Sequence, residues 1–259
     1  MTSDSGRTWD AGSYHRVSGP MVEMARRVLD RLPLEGDEEV MDAGCGTGRV
    51  TALLLDRLRE GRVLAVDADA AMVTSARETL APYGDRVAVE QVDLLKLGLD
   101  AALDAVLSTA TFHWVLDHDL LFANLFRALR PGGLLVAQCG GFGNIALVLR
   151  AADSAAALPQ WSARFDGWSR PAVYATAEET EARLLHAGFQ EIRCWLEPSP
   201  VVPDDPREYL GTIAIGAHLQ RLGNDMSDRA AFLDEMLARL GAPVTVDYVR
   251  LNIDARRPG

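Results

Sequence analysis

Two carboxylates and the glycine-rich turn between them are the residues of this sequence best suited to hold a reactive ligand. Val40-Met41-Asp42-Ala43-Gly44-Cys45-Gly46-Thr47-Gly48 runs from an apolar strand end through an acid into closely spaced glycines. Arg49 to Leu58 follows with Val50, Leu53, Leu54 and Leu58 at helical spacing. Strand, tight loop and amphipathic helix in that order make a cradle. Glycine permits positive φ and lets a ligand reach the main chain without meeting a Cβ, and a helix start offers unpaired N–H groups. A second apolar run, Val63-Leu64-Ala65-Val66, ends in Asp67.

The residue types narrow the ligand. A phosphate loop needs a lysine directly after its last glycine, and the only lysine of the chain is Lys96. A dinucleotide fingerprint reads G-x-G-x-x-G, whereas this loop reads G-x-G-x-G and is preceded by Asp42. A carboxylate there opposes a pyrophosphate and suits an ammonium group. Asp67, at the end of the next strand, stands where an acid accepts hydrogen bonds from ribose hydroxyls. A nucleoside joined to an amino acid, without phosphate, satisfies both acids, and S-adenosylmethionine has that chemistry.

The elements that must position these residues can be read along the chain. Met21, Met24, Ala25, Val28, Leu29 and Leu32 share one face of a helix that Pro33 stops, and Trp9, Tyr14 and His15 precede it as an N-terminal lid or packing segment. After Asp67 comes a helix with Met72, Val73, Ala76 and Leu80 inward, then a third strand over Val87-Ala88-Val89 and Val92 with Asp93, and a fourth over Leu103 to Ser108. A helix over Leu120 to Leu129 stops at Arg130-Pro131-Gly132-Gly133, which turns into a fifth strand, Leu134 to Gln138. Strands alternating with helices at this spacing argue a parallel sheet covered on both faces, with ligands beyond the strands' carboxyl ends. Asp42, Asp67, Asp93 and Ser108 all fall at such ends.

From Gly140 the alternation stops. A helix over Ala146 to Ala157 leads to Trp161, Phe165, Trp168 and Tyr174, with Arg164 and Arg170 among them, a cluster that either packs beneath a loop or walls a pocket. Thr176-Ala177-Glu178-Glu179 is a capping box for a helix ending at Gly188. A strand over Glu191 to Leu196, helices over about Pro206 to Leu222 and Asp228 to Leu240, and a last strand, Val244 to Ile253, complete the chain. The expectation is one α/β domain over 1–259, built on a doubly wound, Rossmann-like, seven-stranded, mostly parallel sheet. Its parts are a lid and helix (1–39), a cofactor-binding core (40–140), an insertion (141–175) and C-terminal strands (176–259) with a helical cap over 204–241.

Composition excludes some partners. The chain has 259 residues, 48% of them apolar, and a net charge of −11 from 26 basic and 37 acidic side chains, with no basic run to track phosphates. Cys45, Cys139 and Cys194 are too scattered for a zinc site or a disulfide framework, so no metal is expected and a reducing cytoplasm is the simplest setting. The polar N-terminus has no apolar targeting core, and no stretch reaches the ~18 apolar residues of a membrane span. The expectations are a small-molecule partner, no nucleic acid and no membrane, with oligomeric state open.

These motifs resemble those of the class I S-adenosylmethionine-dependent methyltransferases, over most of the chain. Asp42 to Gly48 is similar to the family's first motif, Asp67 to its ribose acid, and Met72 to its adenine-stacking position. Asp93-Leu94 resembles the pair that meets the adenine edge, and Leu129 to Leu134 the turn into the fifth strand. The resemblance implies a cofactor site of Asp42, Gly44, Cys45, Gly46, Asp67, Ala68, Met72, Asp93, Leu94 and Ser108, with S-adenosylmethionine as donor and S-adenosylhomocysteine as product. Ala110 to His118 resembles the corresponding segment of trans-aconitate and juvenile-hormone-acid methyltransferases, which esterify carboxylates.

An ionised carboxylate acceptor needs no base, and Arg164 or Arg170 could hold it while Tyr14 and Trp114 close the pocket. A phenol, quinone or enol acceptor would use a base, for which His113, with Tyr14, is the candidate. Base N-methylation is disfavoured because Ser108-Thr109-Ala110-Thr111 replaces an Asn/Asp-Pro-Pro-aromatic stretch. The shortened glycine spacing and the lack of a Tyr-x-x-x-Lys pair disfavour a nicotinamide dehydrogenase. A catalytically silent module that binds S-adenosylmethionine would carry the same loop and remains open at this point.

Overall fold

A computed structural model describes residues 19–259, and the expectations on Trp9, Tyr14 and His15 lie outside those residues. The strands are β1 (Glu39–Ala43), β2 (Arg62–Asp67), β3 (Val87–Gln91), β4 (Leu103–Thr109), β5 (Leu129–Gly140), β6 (Gln190–Pro198) and β7 (Val249–Arg256). They form one sheet in the order β3-β2-β1-β4-β5-β7-β6. β1 to β5 pair in parallel, and β7 lies antiparallel between β5 and β6. The mostly parallel, Rossmann-like sheet of the sequence reading is therefore present. Because β1 has β2 on one side and β4 on the other, chain direction through the sheet reverses there, and a crevice opens beyond its carboxyl end.

Side-chain alternation along the strands distributes the core. Val40, Val63, Ala65, Ala105 and Leu107 face one layer, made by α1 (Gly19–Leu29), α2 (Arg49–Arg57) and α3 (Ala70–Leu80) through Val28, Leu29, Leu54, Leu55, Ala76 and Leu80. Met41, Ala43, Val106, Leu135 and Ala137 face the other layer, which includes Leu121, Phe122 and Leu125 of α4 (His118–Ala128) and, past α5 (Ala146–Ala156), Leu184 of α6 (Ala177–Ala187). The same alternation turns Asp42 toward α2. α3 starts where the Asp69 side chain accepts from the N–H groups of Ala71 and Met72. α6 carries the predicted capping box of Thr176 and Glu179. Among the described residues, no helix is long and apolar enough to cross a membrane.

Beyond β5 a separate apolar cluster forms the cap. Val148 and Ala152 of α5 pack with Trp161, Tyr209, Leu210, Ile213 and Ile215, and with Phe232 and Met236 of α8 (Met226–Leu237), which follows α7 (Gly216–Arg221). Here the element boundaries depart from the sequence reading. The helix expected over Pro206 to Leu222 is broken into Pro206–Tyr209, a wider turn over Leu210–Ala214, and α7. Tyr209, Leu210, Ile213 and Ile215 are all buried, a spacing that one straight α-helix does not place on a single narrow face. The last strand begins at Val249 rather than Val244, because Asp247 is drawn away to accept from Leu147 N–H (2.9 Å) at the start of α5. β5 begins at Leu129, earlier than expected, with a register shift between Leu103 and Ala105 absorbing the Arg130 to Gly133 stretch. Asp93 lies past the end of β3 rather than in it.

Candidate active site

The β1–α2 turn is shaped by what surrounds it. Gly44 N–H and Cys45 N–H both donate to the Val66 carbonyl, at 2.8 and 2.9 Å, tying the turn to β2. Gly44 has φ +84°, and a Cβ there would lie 2.0 Å from Thr111 Oγ1, so both backbone and neighbour require glycine. Gly46 has φ +54°, and a Cβ there would meet nothing within 4 Å among the described residues. The first glycine accommodates the protein; the second borders open space.

The two acids sit behind and beside this turn. Asp42 is fully buried, and its Oδ2 accepts from Thr51 Oγ1 at 2.6 Å while Oδ1 has no partner among the described residues. Burial first, and the Asp67 charge in addition, push its carboxyl up to about 6 against the Thr51 hydrogen bond. It lies beneath the loop, outside the cleft lining, so its charge reaches a cation through the turn. Asp67 accepts from Gly46 N–H and from Asp69 N–H, both at 2.9 Å. Burial raises its pKa and those backbone hydrogen bonds oppose the shift. Asp67 thus braces the same loop that it flanks.

The other expected cofactor residues divide. Met72 is buried at the start of α3, and Ala68 lends its carbonyl to Gln91 Nε2 at 3.0 Å. Asp93 accepts from Leu95 N–H at 3.0 Å and lies 3.5 Å from Lys96 Nζ, while the Leu94 side chain joins the core. Ser108 requires a correction. Its buried hydroxyl donates to the Ala43 carbonyl at 2.7 Å, joining β4 to β1, and is spent on that bond. Cys45 lines the cleft, with burial raising its thiol pKa.

A cleft, part open to solvent, runs from this loop across the carboxyl ends of the sheet. Met21, Met24 and Ala25 of α1 form one wall, Gly44 to Thr47 the floor, and Thr109, Ala110, Gln138 and Arg250 the far side. Gln138 and Arg250 were not anticipated. The signal available in the sequence was a glutamine, an arginine and an asparagine interrupting apolar strand runs at Gln138, Arg250 and Asn252, positions that a buried sheet normally fills with hydrocarbon.

The acceptor-side expectations are redistributed. His113 is buried, with its ring centroid 4.7 Å from that of Trp114 and stacked at 5.7 Å on Tyr174. Its Nδ1 accepts from Gly140 N–H at 3.2 Å, so the neutral ring carries its proton on Nε2 and its basic lone pair is engaged. That corrects the reading of His113 as a poised base. Neither His113 nor Trp114 lines the cleft. Arg164 and Arg170 lie outside it as well: Arg164 pairs with Asp228 at 2.6 Å and donates to the Leu222 carbonyl, and Arg170 pairs with Asp153 at 2.9 Å. Trp161 and Phe165 pack on Phe232, so much of the aromatic run is cap core. Tyr14 lies outside the described residues.

The arrangement fits S-adenosylmethionine: a buried acid with an unpaired oxygen for a cationic ligand, a glycine that opens the loop, and an acid at the end of the neighbouring strand. Known proteins agree. A family model described as a methyltransferase domain matches residues 40–133. The trans-aconitate 2-methyltransferase of Azoarcus sp. (strain BH72) is 39% identical over 131 residues, 51% of this chain and 50% of the relative. That of Acidovorax ebreus (strain TPSY) is 29% identical over 240 residues, 86% of this chain and 92% of the relative. Residues 40–133 are a methyltransferase domain, of the class I S-adenosylmethionine-dependent kind.

Solved structures share the fold. A Haemonchus contortus phosphoethanolamine N-methyltransferase 2, solved with phosphomonomethylethanolamine and S-adenosylhomocysteine, superposes with a TM-score of 0.65 at 18% identity, over 99% of this chain and 58% of that one. The YcgJ protein from Bacillus subtilis superposes at 0.63 and 15% identity, over 93% and 98%. The alignment with the Azoarcus relative spans about half of that protein's length. Within this methyltransferase the family match holds the glycine loop and the acids Asp42, Asp67 and Asp93, while α1, Gln138 and Arg250 lie outside it.

Proposed function

We propose that the protein transfers the methyl group of S-adenosylmethionine to a carboxylate oxygen of a small organic acid. The observation that carries the donor half is the loop itself, with Gly46 bordering open space, Asp42 carrying an unpaired buried oxygen behind it and Asp67 bracing it. The acceptor class is supported by the Acidovorax relative, a trans-aconitate 2-methyltransferase aligned over 92% of its length. The bound cofactor supplies an electrophilic methyl carbon on a positively charged sulfur.

The chain's own residues do the rest. Gly44 to Gly48 and Asp67 hold the nucleoside and amino-acid parts, with Met72 and Asp93 at the adenine end, and Asp42 favours the cationic form of the ligand. Met21, Met24 and Ala25 of α1 cover the cleft and keep water from it. An acceptor carboxylate is ionised at neutral pH, so the residues around it would have only to bind and align it toward the methyl group that S-adenosylmethionine would supply, with no proton to remove. A site whose nearby histidine has its lone pair engaged by Gly140 N–H suits such an acceptor better than a phenol. We further place the enzyme in the cytoplasm, a placement supported by its free cysteines, and its partners as small molecules only, supported by the net charge of −11.

The test is incubation with methyl-labelled cofactor and trans-aconitate, other di- and tricarboxylates, and neutral phenols. Label is expected in a base-labile methyl ester of an organic acid. Label appearing only in phenols would sink the carboxylate reading, and binding of cofactor without turnover of any acceptor would favour a silent module.

A further inference from the structure

We infer that Arg250, aligned by Gln138, is the anion anchor of the acceptor pocket and takes a carboxylate of the acceptor on its guanidinium. This rests on the methyltransferase reading above and adds to it the residue that selects the substrate. Arg250 is only 3% exposed, yet among the described residues it has no carboxylate partner. Among the described residues its guanidinium makes one hydrogen bond, from Nε to Gln138 Oε1 at 3.3 Å, and its Cζ lies 5.5 Å from the Tyr248 ring centroid. A buried guanidinium without a counter-ion is costly, and one that borders a cleft is set to receive an anion there. Arg31 shows the usual solution in the same sheet region, pairing with Asp254 at 3.0 Å.

The nearest candidate for an internal partner is committed elsewhere. Glu197 is the strand neighbour of Arg250, but its carboxylate accepts from Asn252 Nδ2 at 3.3 Å and lies 3.9 Å from Arg27. Among the described residues lining the cleft, the ionisable groups that carry charge at neutral pH are Arg49 and Arg250, and none is an acid.

A hydrogen-bonded relay fixes the direction of the guanidinium. Arg31 can only donate, so the Asn252 oxygen faces it, Nη1 to Oδ1 at 2.6 Å. The same oxygen accepts from Gln138 Nε2 at 2.9 Å, which leaves the Gln138 oxygen facing Arg250 Nε. Both amides are thereby oriented by arginines at the two ends. Arg250 uses its Nε on this relay and keeps its paired Nη groups for a ligand, the geometry in which a guanidinium holds a carboxylate. Across the cleft stand Met21, Met24 and Ala25, an apolar wall for the body of the acid.

The test compares wild type with R250M, R250K and Q138E, using the carboxylate and phenol panel above and the thermal shift produced by S-adenosylhomocysteine. R250M is expected to raise KM for the carboxylate acceptor at least about 10-fold, with the S-adenosylhomocysteine shift intact. R250K should recover part of that loss. Q138E places a carboxylate beside Arg250 and should also raise KM. Should R250M fail to fold, higher KM in R250K and Q138E with an intact cofactor shift carries the same support. An unchanged KM in the folded variants overturns the assignment. So does loss of the cofactor shift in folded R250M, which would assign the guanidinium to the cofactor's own carboxylate, and so does a wild type that neither binds nor methylates any carboxylate. A wild type with no S-adenosylhomocysteine shift overturns the underlying methyltransferase reading, and the anchor with it.

Discussion

Burial holds the Asp42 carboxyl at about 6, above the 3.8 of a free side chain, and the cost of ionising it falls on the unliganded fold. The folded-state pKa is the raised one, so the penalty is absent below the unfolded value and is incurred as pH rises through about 6. A shift of this size corresponds to about 3 kcal/mol at most. Asp42→Asn keeps an oxygen to accept from Thr51 and removes the charge, so at about pH 8 the unliganded variant is expected to melt several degrees above wild type, with the gap narrowing below about pH 6 and closing toward about pH 4. Its affinity for S-adenosylhomocysteine should fall, and wild-type affinity should fall as pH drops through about 6, where the attraction to the ligand's ammonium is lost. Melting and calorimetric titration across that range check both signs, and a variant with wild-type affinity at high pH would show that Asp42 serves the fold alone. Asp67 is different because it braces the loop directly through Gly46 N–H. Asp67→Ala should weaken S-adenosylhomocysteine about 10- to 100-fold while the unliganded protein stays folded; equal stabilisation of variant and wild type by ligand would place the ribose contact elsewhere.

The turn from β1 to α2 separates two uses of glycine that the sequence shows as one motif. Gly44→Ala adds a Cβ onto Thr111 at a backbone φ of +84°, and should destabilise the fold by at least about 2 kcal/mol. Gly46→Ala meets no atom of the described residues within 4 Å, so its cost to stability is the strain of roughly 1–2 kcal/mol, while the new methyl occupies the space left for the ligand. Denaturant unfolding and cofactor titration of the two variants should therefore dissociate: the first loses stability foremost, the second affinity. If Gly46→Ala binds as wild type does, the open side of the loop is not the ligand's side. This donor half was legible because strand, glycines, acid and helix are contiguous, and spacing along the chain then reports spacing in the fold. The acceptor half was not, since α1, the end of β5 and β7 are brought together only by the order of the sheet. Arg164 and Arg170 drew the prediction because they stand among aromatics in sequence, but Phe165 is held by Phe232 in the cap and the arginines turn to Asp228 and Asp153. The broken helix after Pro206 was hidden for a related reason: the cap buries it from several sides, and periodicity reports only a single buried face.

Taken whole, the molecule closes its cleft with parts from both ends of the described chain, Met21 and Met24 from α1 and Arg250 from β7, around a floor made by residues 44–47. Ligands that span this cleft must therefore couple elements that otherwise meet mainly through the sheet. S-adenosylhomocysteine at about 100 times its dissociation constant adds ~2.7 kcal/mol, which at this chain length raises the melting temperature by roughly 5 to 10 °C. A carboxylate acceptor added to the cofactor-saturated protein should raise it further, because it joins Arg250 to the apolar face of α1 across the occupied loop. The same coupling should be visible locally. Amide hydrogens of α1, the helix that walls the cleft, exchange by local opening, and their exchange should slow modestly with S-adenosylhomocysteine and more strongly with both ligands. The first residues of β3, at the amino end of an edge strand and away from the loop, should respond to neither beyond the global gain. Uniform slowing across α1 and β3 would indicate stabilisation without closure of the cleft, and unchanged exchange in α1 with both ligands bound would remove that helix from the acceptor's wall.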